Sequence, residues 1–165
     1  MKKNKQGFTL VELLVYIGIF SVLLLVLTQI FISTINAQLS AQSSSGTSQD
    51  SRYILSRLIY DISRADALIS PAAIGGAPVN NLTLKIGANN YVYTLTGSNL
   101  TLTVGAASDQ LNGPDTEIST LEFTRLGDAS NPPLVKVNYV LKSRVKTTSG
   151  YEIKNVDTVI GLRPN

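Results

Sequence analysis

Three residue types with distinctive chemistry are missing from this chain: its 165 residues include no cysteine, no histidine and no tryptophan. Without cysteine there is no disulfide bridge, no thiol nucleophile and no thiolate metal site. Without histidine the chain lacks the commonest general base and the commonest transition-metal ligand. We therefore expect a protein that is not an enzyme and whose fold depends on an apolar core.

Charge is also scarce, and it is unevenly placed. The formal net charge is +3, but it comes from Lys2, Lys3 and Lys5, because the chain from Phe8 onward has equal numbers of basic and acidic side chains. The net charge is therefore no argument for nucleic-acid binding, and a role in DNA binding is left undecided. From Leu13 to Gln49 there is no Asp, Glu, Lys or Arg.

A long apolar run overlaps this uncharged stretch. Residues Phe8 to Ile35 would form a helix about 42 Å long, enough to cross a hydrocarbon core about 30 Å thick. Lysines precede the run and none follows closely. The positive-inside rule therefore predicts a single-pass protein of the cytoplasmic (inner) membrane, with a cytoplasmic N-terminus and an extracytoplasmic head. A cleavable signal peptide has a shorter apolar core and a small-residue cleavage site, which Ala41-Gln42-Ser43 matches poorly.

The opening sequence KQGFTLVELLV contains three notable residues: Gly7 after the lysines, then Phe8, then Glu12 in apolar surroundings. Glycine has no side chain, so a protease can approach its backbone closely. Cleavage after Gly7 would remove the lysines and create a new amine at Phe8, one helical turn before Glu12. A bare carboxylate costs about 2–3 kcal/mol in the middle of a bilayer and less near an end, so the position of Glu12 in this apolar run needs an explanation.

Gly7, Phe8 and Glu12 together resemble the N-terminal signature of the type IV prepilins and pseudopilins. The resemblance implies that prepilin peptidase removes residues 1–7 by cleaving after Gly7 and then methylates the Phe8 amine. It also implies that Glu12 pairs with the Phe8 amine of a neighbouring subunit. The apolar helix would then assemble with other pilin or pseudopilin subunits on a platform in the cytoplasmic membrane, which places the head in the periplasm or outside the cell.

Two alternatives remain open at this stage. Glu12 could lie at the lipid headgroup level, stabilised by the positive end of the helix dipole. The chain could also be a membrane-anchored binding or adhesion domain that never polymerises. Many major pilins have a proline midway along this helix, whereas the first proline here is Pro71. That difference favours a minor pilin or pseudopilin, in a pilus, a DNA-uptake fibre or a secretion pseudopilus.

Residues 36–69 are expected to form the amphipathic second half of the helix. The polar stretch Ser40–Ser51 could be a flexible linker or a weak part of a continuous helix, and the resemblance to pilins favours the continuous helix. An apolar stripe of i, i+3, i+4 spacing then predicts a helix that ends near Ile69, before Pro71. Three charged residues are spaced to form ion pairs along it: Arg57, Asp61 and Arg64.

From residue 70 to 165 we expect a β-sheet head. The apolar period changes to two, and Gly, Asn and Pro separate the alternating runs. A helical spine packed on an antiparallel sheet of five to seven strands is an α+β fold, and it agrees with pilin architecture. The order of motifs also resembles the J-type minor pseudopilins of type II secretion systems. The predicted strands are Leu82–Ile86, Tyr91–Thr96, Leu100–Val104, Ile118–Leu126, Leu134–Lys142 and Glu152–Leu162.

The head contains one weak candidate for a metal site. Acidic and amide side chains gather in DQLNGPDTE, but their spacing fails the EF-hand pattern, so we expect no cofactor, with calcium as the weak exception. Lys142 and Ser143 are adjacent, which on a strand puts their side chains on opposite faces and argues against a catalytic dyad. The candidate calcium ligands are Asp109, Asn112, Asp115 and Glu117.

Overall fold

A computed structural model describes residues 9–128 and 131–163 of the chain. Within these ranges the chain has one long helix followed by eight strands. It divides into two compact units, one ending at Gln38 and the other beginning at Leu39. We refer to the second unit as the head, which includes the C-terminal part of the helix and all eight strands.

Helix α1 runs without a break from Leu10 to Ser63. It passes through Gly18 and through the polar stretch Ser40–Ser51. The prediction of a continuous helix is therefore confirmed, and the flexible linker is wrong. By length and composition α1 is able to cross a membrane, and it is the one such helix in the described part of the chain.

The strands form two antiparallel sheets, which corrects the single sheet that we expected. The first sheet has the order β1-β2-β3-β4-β5, and the second has the order β6-β7-β8. All six predicted strands are present, some of them longer than predicted. In chain order the strands are β1 Ala67–Ser70, β2 Asn81–Ile86, β3 Asn89–Thr96, β4 Asn99–Val104, β5 Ala107–Gln110, β6 Thr116–Leu126, β7 Leu134–Thr147 and β8 Gly150–Gly161.

The C-terminal end of α1 differs from the prediction. We expected the helix to end near Ile69, but it ends at Ser63, and Ala67–Ser70 form strand β1. The Asp66 amide donates a hydrogen bond to the Lys85 carbonyl (2.8 Å), and the pairing of β1 with β2 follows directly. Backbone groups near the core need hydrogen-bond partners, and here the neighbouring strand supplies them in place of another helical turn.

Strands β1 and β5 were not predicted at all. Each has four residues, too few to show an alternating pattern. Each lies at an edge of the first sheet, and each pairs with a longer neighbour, β2 or β4. Their strand character therefore depends on that pairing and not on their own sequence.

The apolar core joins α1 to both sheets. Ile54, Leu58 and Ile62 of α1 have no exposed surface, and their spacing places them on one face of the helix. Burial of each such side chain contributes roughly 1.5–3 kcal/mol. The prediction that the sheets cover the apolar face of the helix is confirmed. The buried strand residues include Leu82, Leu84, Tyr93, Leu100, Phe123, Val135, Val137, Tyr139 and Leu141.

The buried face of α1 continues toward its N-terminus with small hydroxyl side chains. Ser43, Thr47 and Ser51 are buried at four-residue intervals. The Thr47 hydroxyl donates to the Ser43 carbonyl (2.8 Å), and the Ser51 carbonyl accepts from the Tyr139 hydroxyl of β7 (2.9 Å). Part of the polar stretch is therefore buried in the head, and one of its backbone carbonyls bonds to strand β7.

A buried ion-pair network joins α1 to β3. Asp61 has no exposed surface and accepts hydrogen bonds from Arg57 Nε and Arg64 Nη2, both at 2.8 Å. This confirms the predicted helical ion pairs. The Tyr93 hydroxyl of β3 also donates to Asp61 (2.5 Å). Burial first, and then the bond to Asp61, raises the pKa of Tyr93.

Candidate functional site

The N-terminal segment, which we define as residues 1–35, is the candidate functional site because it carries Gly7, Phe8 and Glu12. Gly7 and Phe8 lie outside the described residues, and the structure begins at Thr9. Their roles in processing therefore stay predictions. Glu12 and the apolar helix that follows it are described in full.

Thr9 caps the start of helix α1. Its hydroxyl oxygen accepts a hydrogen bond from the Glu12 amide (3.3 Å), and its carbonyl accepts one from the Leu13 amide (3.1 Å). The sequence Thr9-Leu10-Val11-Glu12 has the Thr-x-x-Glu spacing of a capping box. We assigned no role to Thr9 from the sequence, although this spacing is visible there. The cap fixes the helix start, and with it the position of Glu12 in the first turn.

The Glu12 side chain is exposed in the first turn of α1. A carboxylate at a helix N-terminus gains about 0.3–1 kcal/mol from the positive end of the helix dipole. The ion pairs found in the described part of the chain do not include Glu12. Its carboxylate is thus open to a cationic group from outside these residues.

Apolar side chains surround α1 after Glu12, and they are exposed. Leu14 is 61% exposed, Phe20 57% and Phe31 65%, although residues of this kind are normally found in a core. A helix that is apolar on all faces needs cover from lipid or from other helices. The surface of the N-terminal segment therefore suits contact with lipid, contact with other apolar helices, or first lipid and then helices.

Three hydroxyl side chains within this apolar helix are satisfied by the helix itself. Ser21, Thr28 and Thr34 each donate to the carbonyl four residues earlier, at 2.7, 2.8 and 2.9 Å. Hydroxyls bonded in this way need no water when lipid or another helix covers them. A Cβ added at Gly18 would meet no atom within 4 Å, so contacts within the described chain do not explain this glycine.

Two of the candidate calcium ligands of the head are bonded to other protein groups, and the other two are exposed on different elements. Asn112 is buried, and its side-chain oxygen accepts a hydrogen bond from a backbone amide of β4 (2.8 Å). Glu117 pairs with Lys142 (3.0 Å). Asp109 is exposed on β5, and Asp115 is exposed in the loop before β6. Among the residues that the structure describes, no group of three or more acidic side chains is placed to hold a metal ion.

Asp50 of α1 holds the loop that carries these residues. Its carboxylate accepts hydrogen bonds from the Gly113 amide (2.7 Å) and the Thr116 hydroxyl (2.5 Å). A Cβ on Gly113 would lie 3.1 Å from Asp50 Oδ2, so a glycine here allows the close approach. Asp50 is the first charged residue after the uncharged stretch, but nothing in the sequence indicates its partners.

One comparison with known proteins gives a match. A family model described as the prokaryotic N-terminal methylation motif matches residues 2–28. These residues include the three positions singled out above and the exposed apolar start of α1. No curated protein and no solved structure matches the chain significantly. The match ends before the residues on which the resemblance to J-type pseudopilins depends.

The methylation motif is the type IV prepilin signature, and proteins of this kind are structural subunits and not enzymes. In this chain the signature precedes a long apolar helix whose C-terminal part packs on antiparallel sheets, which is a pilin-like α+β architecture. The chain therefore carries the type IV prepilin signature at its N-terminus, followed by a helix long and apolar enough to cross a membrane.

Proposed function

We propose that this protein is a minor pilin or pseudopilin, a structural subunit of a type IV pilus-like or type II secretion-like filament. The match of residues 2–28 to the N-terminal methylation motif carries the proposal. The precursor spans the cytoplasmic membrane once, with residues 1–7 in the cytoplasm and the head outside. Prepilin peptidase cleaves it after Gly7 and methylates the amine of Phe8.

Cleavage prepares the N-terminal segment for assembly. Loss of Lys2, Lys3 and Lys5 removes their attraction to anionic lipid at the cytoplasmic face. The apolar surface of α1 is covered as well by neighbouring apolar helices as by lipid, so packing decides which of the two it contacts. Subunits can then leave the bilayer and enter the apolar centre of a filament, with the heads outside.

Glu12 directs this assembly. Its exposed carboxylate pairs with the Phe8 amine of a neighbouring subunit. Because desolvation offsets much of the attraction between buried charges, such a pair fixes the register of the two helices more than it adds stability. The partners are other pilin or pseudopilin subunits and the assembly platform. The order of elements after α1 suits a J-type minor pseudopilin of a type II secretion system.

The first test is the intact mass and the N-terminal residue of the protein purified from its native membranes. We expect a chain that begins at methylated Phe8. As a control, a Gly7→Val variant should keep its leader, because a side chain at this position hinders access to the backbone. An intact Met1 in the unaltered protein, in cells with an active prepilin peptidase, would contradict the proposal and favour a membrane-anchored binding domain that does not polymerise.

A further inference from the structure

We propose that a groove beside the C-terminal end of α1 binds a carboxylate-bearing segment of a neighbouring filament subunit. The groove has a volume of about 560 Å³. The proposal rests on the proposed function, which brings subunits together, and it goes further by naming the surface of the head and the chemistry of the partner. We define the arginine groove by its lining residues, all of which belong to the head: Ser56, Ile59, Tyr60, Ser63, Arg64 and Arg163.

Part of the lining of the arginine groove is apolar and open to solvent. Ile59 is 43% exposed and Tyr60 is 59% exposed. They lie on the side of α1 away from the core, which is formed by the fully buried Leu58 and Ile62. Large side chains that are exposed next to each other gain from cover by another apolar surface. Because tyrosine and arginine are also enriched in protein interfaces, the groove has the composition of a contact site for another protein.

Arg64 is held in one position at the groove by its neighbours. Its Nη2 donates to the buried Asp61 carboxylate (2.8 Å). Its guanidinium carbon lies 4.4 Å from the centre of the Tyr60 ring and 5.2 Å from the centre of the Tyr91 ring. The Arg64 side chain is nevertheless 34% exposed. A cation that is already ordered loses little conformational entropy on binding, so Arg64 is ready to receive an anionic group.

Arg163 contributes a second cation, and the ion pairs of the described residues do not include it. Its amide donates to the Ser63 carbonyl (3.1 Å), which holds its backbone at the end of α1, and the residue is exposed. The lining contains no acidic residue. The buried Asp61 is shared between Arg57 and Arg64, so this group of three retains one positive charge. The groove is therefore cationic.

The charge and the apolar lining together indicate the chemistry of the partner. A carboxylate complements the two arginines, and opposite charge across an interface favours the correct partner and its orientation. An apolar side chain next to that carboxylate covers Ile59 and the Tyr60 ring. A nucleic-acid backbone supplies anions but no apolar cover, and its binding draws on more phosphate contacts than two arginines provide. The favoured occupant is therefore a protein segment in which Asp or Glu adjoins an apolar residue.

The test uses the full-length protein in its native cells. A photoreactive benzoylphenylalanine replaces Tyr60 in the groove. In a second strain it replaces Tyr151, an exposed residue of β8 outside the groove. The cells are illuminated, and mass spectrometry identifies the peptide joined to each position. We expect position 60 to join a filament subunit at a segment that contains Asp or Glu beside an apolar residue.

Charge changes then show whether the arginines hold this segment. Arg163→Glu should lower the crosslink yield at position 60 several-fold, because it opposes two carboxylates, whereas Arg163→Lys should keep most of the yield. Arg52→Glu is the matched control, since Arg52 is exposed on the same helix but does not line the groove, and it should leave the yield unaltered. Changing the identified carboxylate of the partner to Arg should restore the yield of Arg163→Glu. The yield at position 151 should not respond to these changes.

Several results would overturn the proposal: no crosslink at position 60, a crosslinked segment without an acidic residue, an adduct with nucleic acid or lipid, or equal losses in Arg163→Glu and Arg52→Glu. The N-terminal residue of the same protein separates the proposal from the function on which it rests. A chain that keeps Met1 would refute the proposed function and, with it, this contact. A chain that begins at methylated Phe8 and enters filaments without the expected crosslink would refute the groove contact alone.

Discussion

The Tyr93 hydroxyl donates a hydrogen bond to the Asp61 carboxylate over 2.5 Å, and neither residue has exposed surface. The bond joins α1 to the centre of the first sheet. Arg57 and Arg64 neutralise the same carboxylate from positions one helical turn away. The packing of the C-terminal part of α1 on the first sheet therefore includes a paired polar network in addition to the apolar core.

Breaking this network should destabilise the head strongly. Asp61→Asn is expected to lower the free energy of unfolding by about 3 kcal/mol, because it leaves two partly buried guanidinium groups without a carboxylate. Asp157→Asn is the matched control: it removes an exposed ion pair with Lys136 and should cost less than about 1 kcal/mol. Urea unfolding of the detergent-solubilised protein measures both, and equal losses would contradict the expectation.

Alkaline pH should weaken the head through its buried tyrosines. Burial raises the pKa of Tyr93 and of Tyr139, and the bond to Asp61 raises that of Tyr93 further above its usual value of 10.0. A raised pKa in the folded state gives stability that is fully present below pH 10 and is lost as the pH rises above it.

Phenolate absorbance and urea unfolding, both measured from pH 8 upward, check this pH dependence. Because their pKa values are raised, Tyr93 and Tyr139 should stay protonated until the head unfolds. Tyr93→Phe should make the stability fall less steeply above pH 10. Ionisation of all the tyrosines in a single step before unfolding begins would contradict the prediction.

Two glycines of the head should respond in opposite ways to alanine. Gly46 lies within α1, and a Cβ there meets no atom within 4 Å, so Gly46→Ala should stabilise the helix by about 0.5–1 kcal/mol. Gly113→Ala should destabilise the head by about 1–3 kcal/mol, since the Cβ would press on the Asp50 carboxylate and disturb its hydrogen bonds. Thermal unfolding should show midpoint shifts of opposite sign, and shifts in the same direction would refute this explanation.

Calcium should have no effect on the stability of the head. Asn112 and Glu117 are occupied by protein partners, and Asp50 already fixes the loop between β5 and β6. The thermal midpoint should be the same in calcium and in EDTA. Asp50→Asn should lower it by the equivalent of about 1–3 kcal/mol. A midpoint that rises with calcium would instead support a site at Asp109 and Asp115.

Glu12 should matter for assembly and not for membrane insertion. Glu12→Ala is expected to keep the protein in the membrane and to permit cleavage after Gly7, because it removes a charge from an apolar helix. Filament incorporation should fall sharply, while Glu12→Asp should retain part of it. Immunoblots of sheared filaments against the membrane fraction measure the ratio. Normal incorporation of the alanine variant would argue that Glu12 serves only to begin the helix.

Periodic patterns allowed most of the secondary structure to be predicted. The C-terminal part of helix α1 and the six longer strands have one face turned toward the core, and this burial appears in the sequence as a repeat of 3.6 or 2 residues. The short edge strands β1 and β5 carry no such repeat. The end of α1 at Ser63 was also not predicted. The apolar stripe continues beyond Ser63, and the Lys85 carbonyl that accepts a hydrogen bond from the Asp66 amide lies in strand β2.

The sequence by itself determined the features that need no tertiary contact. These are the basic leader, the Gly7-Phe8-Glu12 motif, the apolar helix and the alternation of the longer strands. The tertiary structure alone decided the split into two sheets, the burial of Asp61 and the close approach of Asp50 to Gly113. Each of these depends on contacts between residues far apart in the chain, such as Asp50 and Gly113, which are separated by 63 in sequence number. Local propensity has no information about partners at such distances, and only packing selects them.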